Sequence, residues 1–115
     1  MDLYHSDIRL PDGFTKPTAR VELVWTRHAD AARTDDRYGQ IPRFANVPLS
    51  MFDVIEVGVE AGKVSKMLVR GHYSADIDVC FVLIPCKTDK WIVKTVWQNE
   101  RTDVHRTLDR SRYVA

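Results

Sequence analysis

The sequence predicts an α+β domain: a four-stranded antiparallel sheet, two helices packed on one of its faces, and a short C-terminal helix or tail. Three observations lead there. Residues 20–26 alternate apolar and polar side chains. Two later stretches, 27–38 and 50–62, space their residues at helical intervals. From Val64 onward, three apolar runs follow one another across short polar turns.

Residues 1–19, with Pro11, Gly13 and Pro17 among polar neighbours, read as an N-terminal arm, and residues 20–115 as a single domain. In the first strand, Val21, Leu23 and Trp25 share one face. Arg20, Glu22, Val24 and Thr26 share the other. Thr26 then suits a helix cap, and "RHADAARTDDRYG" supplies helix formers up to a stop at Gly39, so a helix is expected from Arg27 to Tyr38. It is short of large apolar residues and should pack closely through its alanines. "QIPRFANVP" reads as a loop. In "LSMFDVIEVGVEAGK", Met51, Val54, Ile55 and Val59 fit one helical stripe and Asp53, Glu56 and Glu60 another. Ser50 is the expected cap and Gly62 the stop, against the β-branched bias of Val54, Ile55, Val57 and Val59. "VSKMLVRGHY", "ADIDVCFVLIP" and "WIVKTVWQ" complete an antiparallel meander, which the first strand joins.

A chain of 115 residues has the length of one domain and needs no metal or disulfide to hold a core. Its 44% apolar and 29% charged residues describe an ordinary globular composition, and a net charge of +1 argues against a strongly electrostatic nucleic-acid or membrane binder. Cys80 and Cys86 have no second pair, so neither a zinc site nor a disulfide framework is indicated. There is no secretory leader pattern and no run of about eighteen apolar residues, which makes the reducing cytoplasm the default expectation. No phosphate-cradling glycine loop, nucleophile elbow or metal-ligand spacing of His5, His28, His72 and His105 is present, and no cofactor is called for.

Chemistry concentrates in a few side chains. Lys94 lies mid-strand among apolar residues. It either faces solvent on an open face or lines a cleft, where its ammonium would neutralise a phosphate. His28, at the start of the first helix, is placed where the dipole favours neutral imidazole, a usable base, or is simply a surface residue at a turn. In the C-terminal "RTDVHRTLDRSRY", Arg101, His105 and Asp109 recur every four residues. A helix would stack them and let Asp109 fix the His105 tautomer, while Arg106 and Arg110 add positive charge. A docked tail with weak salt bridges is the plainer alternative. Histidines, a strand lysine, arginines and hydroxyls without a metal motif form a kit for metal-independent RNA cleavage, in which a base deprotonates the 2′-hydroxyl, a cation offsets phosphorane charge and an acid protonates the leaving oxygen.

The order of "VWTRHADAARTDDRYG", "VPLSMFDVIEVGVEAGK" and a meander ending in "WIVKTVW" resembles the small BrnT-like and RelE-like ribonuclease toxins of the barnase–EndoU–colicin–RelE class, over residues 20–98. The resemblance implies an endoribonuclease acting on RNA without metal, with an antitoxin partner. It casts His28 as base or acid, Arg33 and Lys94 as phosphate contacts, and Thr95 as a positioning hydroxyl. The long proline-containing loop between the helices and the tail beyond Trp97 depart from that family. With His28, Lys94 and His105 as catalytic candidates, Arg33, Thr95, Arg101, Arg106 and Arg110 would then bind substrate. The competing expectation is a non-catalytic phage or bacterial inhibitor that occupies a host protein through its C-terminal arginines and Trp97. A ribonuclease-class fold that has lost its chemistry is a third. The choice rests on whether His28, Lys94 and His105 open onto one hollow.

Overall fold

A computed structural model describes residues 20–103. The alternation at the start of this region produces a strand, β1 (Arg20–Trp25), that buries Val21 and Leu23 and leaves Arg20, Glu22 and Val24 exposed. Thr26 ends it and caps α1 (Arg27–Thr34), accepting the Ala29 N–H at 3.1 Å and donating its own hydroxyl to the Val93 carbonyl at 3.0 Å. One threonine thus starts the helix and ties it to the far end of the chain. Ala29 is fully buried and Ala32 packs beside it, the close alanine contact that the sequence suggests. The helix stops at Thr34, four residues before the predicted Tyr38, with Asp35 as its C-cap.

The sequence-based fold class is wrong in three respects. The described residues hold six strands in one sheet and a single α-helix, not four strands and two helices. After α1 come β2 (Asn46–Pro48), a 3-10 turn (Leu49–Met51), β3 (Asp53–Glu60), β4 (Lys63–His72), β5 (Ile77–Lys87) and β6 (Lys90–Glu100). The order across the sheet is β2-β1-β6-β5-β4-β3. The sheet is also mixed: β1 runs parallel to β6, with Leu23 opposite Trp91 and Trp25 opposite Val93, while every other pair is antiparallel. Polar turns reveal hairpins between successive strands, but a pairing of the first strand with the last has no local signal.

The predicted second helix is β3. Its β-branched residues prevail, and a register shift between Val54 and Glu56 explains the misleading spacing, because it leaves Ile55 as an extra residue in β3. That shift breaks the two-residue alternation, so the apolar positions imitate a helical stripe. A second shift, between Gly58 and Val59, places its extra residue, Ser65, in β4 instead. Gly62 is not a helix stop. It forms the β3–β4 hairpin turn with Ala61, and both have positive φ (51° at Ala61, 76° at Gly62).

A third register shift, in β6 opposite Val82 and Leu83, moves side chains between faces. Leu83 pairs with Val93 and Val82 with Thr95, so Val96 joins Trp91 and Val93 in the main core. The alternation expected for β6 therefore fails beyond Val93. The main core lies on the face of the sheet covered by α1 and the 3-10 turn, and it contains Phe81, Trp91, Leu83, Ile41 and Leu49. The opposite face carries a second cluster of Ile55, Leu68, Cys80 and Val82, against which Trp97 packs. Burying each large side chain in these clusters contributes about 1.5–3 kcal/mol.

Candidate functional site

The 3-10 turn carries the chain from β2, at one edge of the described sheet, to β3 at the other. Between these flanks, over β4 and β5, lies a cleft of about 420 Å³. Its apolar lining includes Phe44, Phe52, Val79 and Phe81, and its polar lining includes Arg20, Asn46, Asp53, His72 and Tyr73. The volume falls in the range of small-ligand sites.

The floor is set by ring packing. Phe81 is fully buried on β5 and meets Phe44 at 6.2 Å and Phe52 at 5.9 Å between ring centroids, both strongly inclined. Trp25 supports the floor from below: its ring stands edge-on to Phe81 at 6.3 Å and its indole N–H donates to the Phe44 carbonyl at 2.7 Å. Gly71 makes room for Phe52, because a Cβ there would stand 2.8–3.0 Å from three atoms of that ring. Two exposed apolar side chains mark the mouth. Met51 is 77% exposed and Tyr73 is 40% exposed, with Phe44 edge-on to the Tyr73 ring at 6.2 Å.

Polar groups near the cleft fall into two kinds. Arg70 and Asp78, both fully buried, form an ion pair at 2.9 Å, and Arg101 reaches the other oxygen of Asp78 at 3.0 Å. Arg70 also donates to the Glu100 carbonyl at 2.9 Å. Arg101 donates to the Ala75 carbonyl at 2.6 Å and to those of Ser74 and Ile77. These arginines lock the β4–β5 turn to the end of β6. Arg20 differs: its Nε donates to Asn46 Oδ1, and neither of its terminal nitrogens has a bonding partner among the described residues.

The sequence candidates lie elsewhere. His28 is exposed on α1. Lys94 sits in the β6 irregularity beside Thr95, which pairs with Val82 of the second cluster, so the register puts both on the face opposite α1. His28 and Lys94 thus belong to different faces of the sheet. On that second face Lys66 lies across Gly58, where a Cβ would meet its Cγ at 2.9 Å. Burial and then the charge of Lys94 lower the Lys66 ammonium below its ordinary range, opposed by Glu60 and Glu56. Arg33 bonds Asp30 at 2.6 Å and the Ile41 carbonyl at 3.2 Å, which makes it a tie between α1 and the following loop. Arg101 is held within the Asp78 network. His105, Arg106 and Arg110 lie outside the described residues. Among the described residues there is no cluster of metal-ligating side chains, and no helix is long and apolar enough to cross a membrane.

The cleft residues escaped sequence reasoning because they come from many separate places: β1, the α1–β2 loop, β2, the 3-10 turn with Phe52 after it, the start of β3, the end of β4 and β5. A faint signal was the presence of aromatic residues at 44, 52 and 73, the first in a stretch read as a loop, the second in the expected second helix and the third at the end of a strand.

No family model matches this chain, and neither a curated protein nor a solved structure matches it.

Proposed function

We propose that this protein is a non-catalytic binding module that holds a ring-sized apolar group in the Phe44–Phe52–Phe81 cleft. One observation carries the reading: a cleft of ligand size is floored by aromatic rings and rimmed by polar groups, while His28 and Lys94 face away from one another across the sheet. General acid–base catalysis requires its groups within hydrogen-bond reach of the same substrate. Opposite faces of a sheet do not provide that reach. An aromatic floor needs only to be pre-formed to bind, and the inclined packing of Phe44 and Phe52 on Phe81, with Trp25 edge-on to Phe81, keeps it so.

The direct test is to incubate the purified chain with total RNA in excess chelator, alongside His28→Ala and His105→Ala. The binding reading predicts intact RNA in every lane. Cleavage that persists in chelator and disappears with either substitution would instead establish the metal-independent ribonuclease.

A further inference from the structure

We infer that the occupant of the cleft is a small aromatic acid, a flat apolar ring bearing one anionic group, with the ring on the Phe floor and the anion on Arg20. The inference deepens the binding-module reading and rests on it. Three features support this charge and shape. The Arg20 guanidinium is at the cleft, is oriented through its Nε by Asn46, and presents terminal N–H groups that bond nothing among the described residues. A planar fork of this kind matches a carboxylate or a phosphate and accepts it through two parallel hydrogen bonds. The contrast with Arg33, Arg70 and Arg101 is informative, because each of those side chains donates both to a carboxylate and to at least one carbonyl of the protein itself.

The second feature is polarity across the cleft. Arg20 enters from the β1–β2 flank and Asp53 from the β3–β4 flank, so side chains of opposite charge type stand on the two sides. A ligand with its charge at one end is thereby given a direction. The third is the mouth, where Met51 and Tyr73 remain exposed beside buried Phe81. Exposed apolar side chains at the rim of an aromatic floor extend the surface that a ring would cover.

The Trp25 indole N–H provides the readout, because it is bonded to the backbone of Phe44 directly behind the floor. Its ¹⁵N–¹H resonance is followed while the full chain is titrated separately with 1-naphthoate, 1-naphthyl phosphate and uncharged 1-naphthamide. A charge-assisted contact predicts that at least one of the two anions binds about tenfold more tightly than the amide. The tighter anion tells carboxylate from phosphate. Arg20→Met should erase that preference and leave the amide affinity in place. Asn46→Ala, which keeps the guanidinium but releases its Nε, should lower the preference only in part. Equal affinity for anions and amide would overturn the inference, as would an unchanged preference in Arg20→Met or a Trp25 signal unmoved by all three compounds at millimolar concentration. Equal affinities, or a preference unchanged in Arg20→Met, overturn the aromatic-acid inference alone because the ring still binds, whereas a signal unmoved by all three compounds overturns the binding module with it.

Discussion

Arg70 and Arg20 show how one residue type serves two ends of the same sheet. Arg70 is fully buried, paired with buried Asp78, and shares that carboxylate with Arg101. Arg20 is exposed and, among the described residues, held through one nitrogen, with its other donors directed to the cleft. The first arrangement fixes architecture, since a buried guanidinium without its carboxylate is costly. The second leaves donors available, which is what recognition needs. Counting arginines does not distinguish the two; their partners do.

The contrast can be broken most severely at Asp78. Asp78→Ala leaves Arg70 buried without its counter-ion and should cost about 3–5 kcal/mol, read as a lowered urea midpoint. Removing the charge of Arg20 by Arg20→Met should leave the same midpoint within about 0.5 kcal/mol, because exposed substitutions away from structural networks do little. A smaller effect is expected at the loop after α1. There Asp36 accepts from the Gln98 backbone and side-chain N–H groups at 3.0 and 3.1 Å, and Gln98 is itself buried. Asp36→Ala should cost about 1–3 kcal/mol by leaving a buried amide short of partners, measured by the same denaturation.

At the floor of the cleft, Gly71→Ala forces its methyl against the Phe52 ring. It should cost about 1–3 kcal/mol and also shift the Trp25 indole resonance, which links packing to the site. A modest change is a gain. Ala61 occupies the left-handed region in the hairpin turn, and Ala61→Asn should stabilise the chain by about 0.5–1 kcal/mol.

Cysteine chemistry separates interior from surface in the same way. Burial pushes the Cys80 thiol from 9.0 up to about 12, whereas Cys86 is exposed. The raised value means that the unfolded chain releases this proton first. The associated stability is therefore present below pH 9 and lost as pH rises toward 12. At pH 8 an alkylating reagent should modify one thiol of the folded chain and both in urea, as counted by intact mass.

How much was legible in the sequence depended on range. The alternation in β1, the Thr26 cap and the alanine contact of α1 are local, and all three are present in the structure. The β5 alternation likewise divides Val79, Phe81 and Leu83 from Cys80 and Val82 as the period of two requires. Two register shifts defeated the periodicity elsewhere, one at Ile55 turning β3 into an apparent helix and one at Lys94 misassigning the faces of β6. The cleft was illegible for a different reason. Its rings converge only because β1 pairs with β6 and the 3-10 turn bridges β2 to β3, and neither event leaves a spacing in the chain.

The most direct measurement follows the methyl group of Met51 at the mouth of the cleft, using ¹³C-methyl methionine and a titration of 1-naphthoate and 1-naphthyl phosphate in wild type and Lys94→Ala. If the cleft is the binding site, the Met51 methyl shifts saturably in both proteins with the same affinity. A methyl that stays still while binding is lost in Lys94→Ala would place the working surface on the opposite side of the sheet and contradict the cleft.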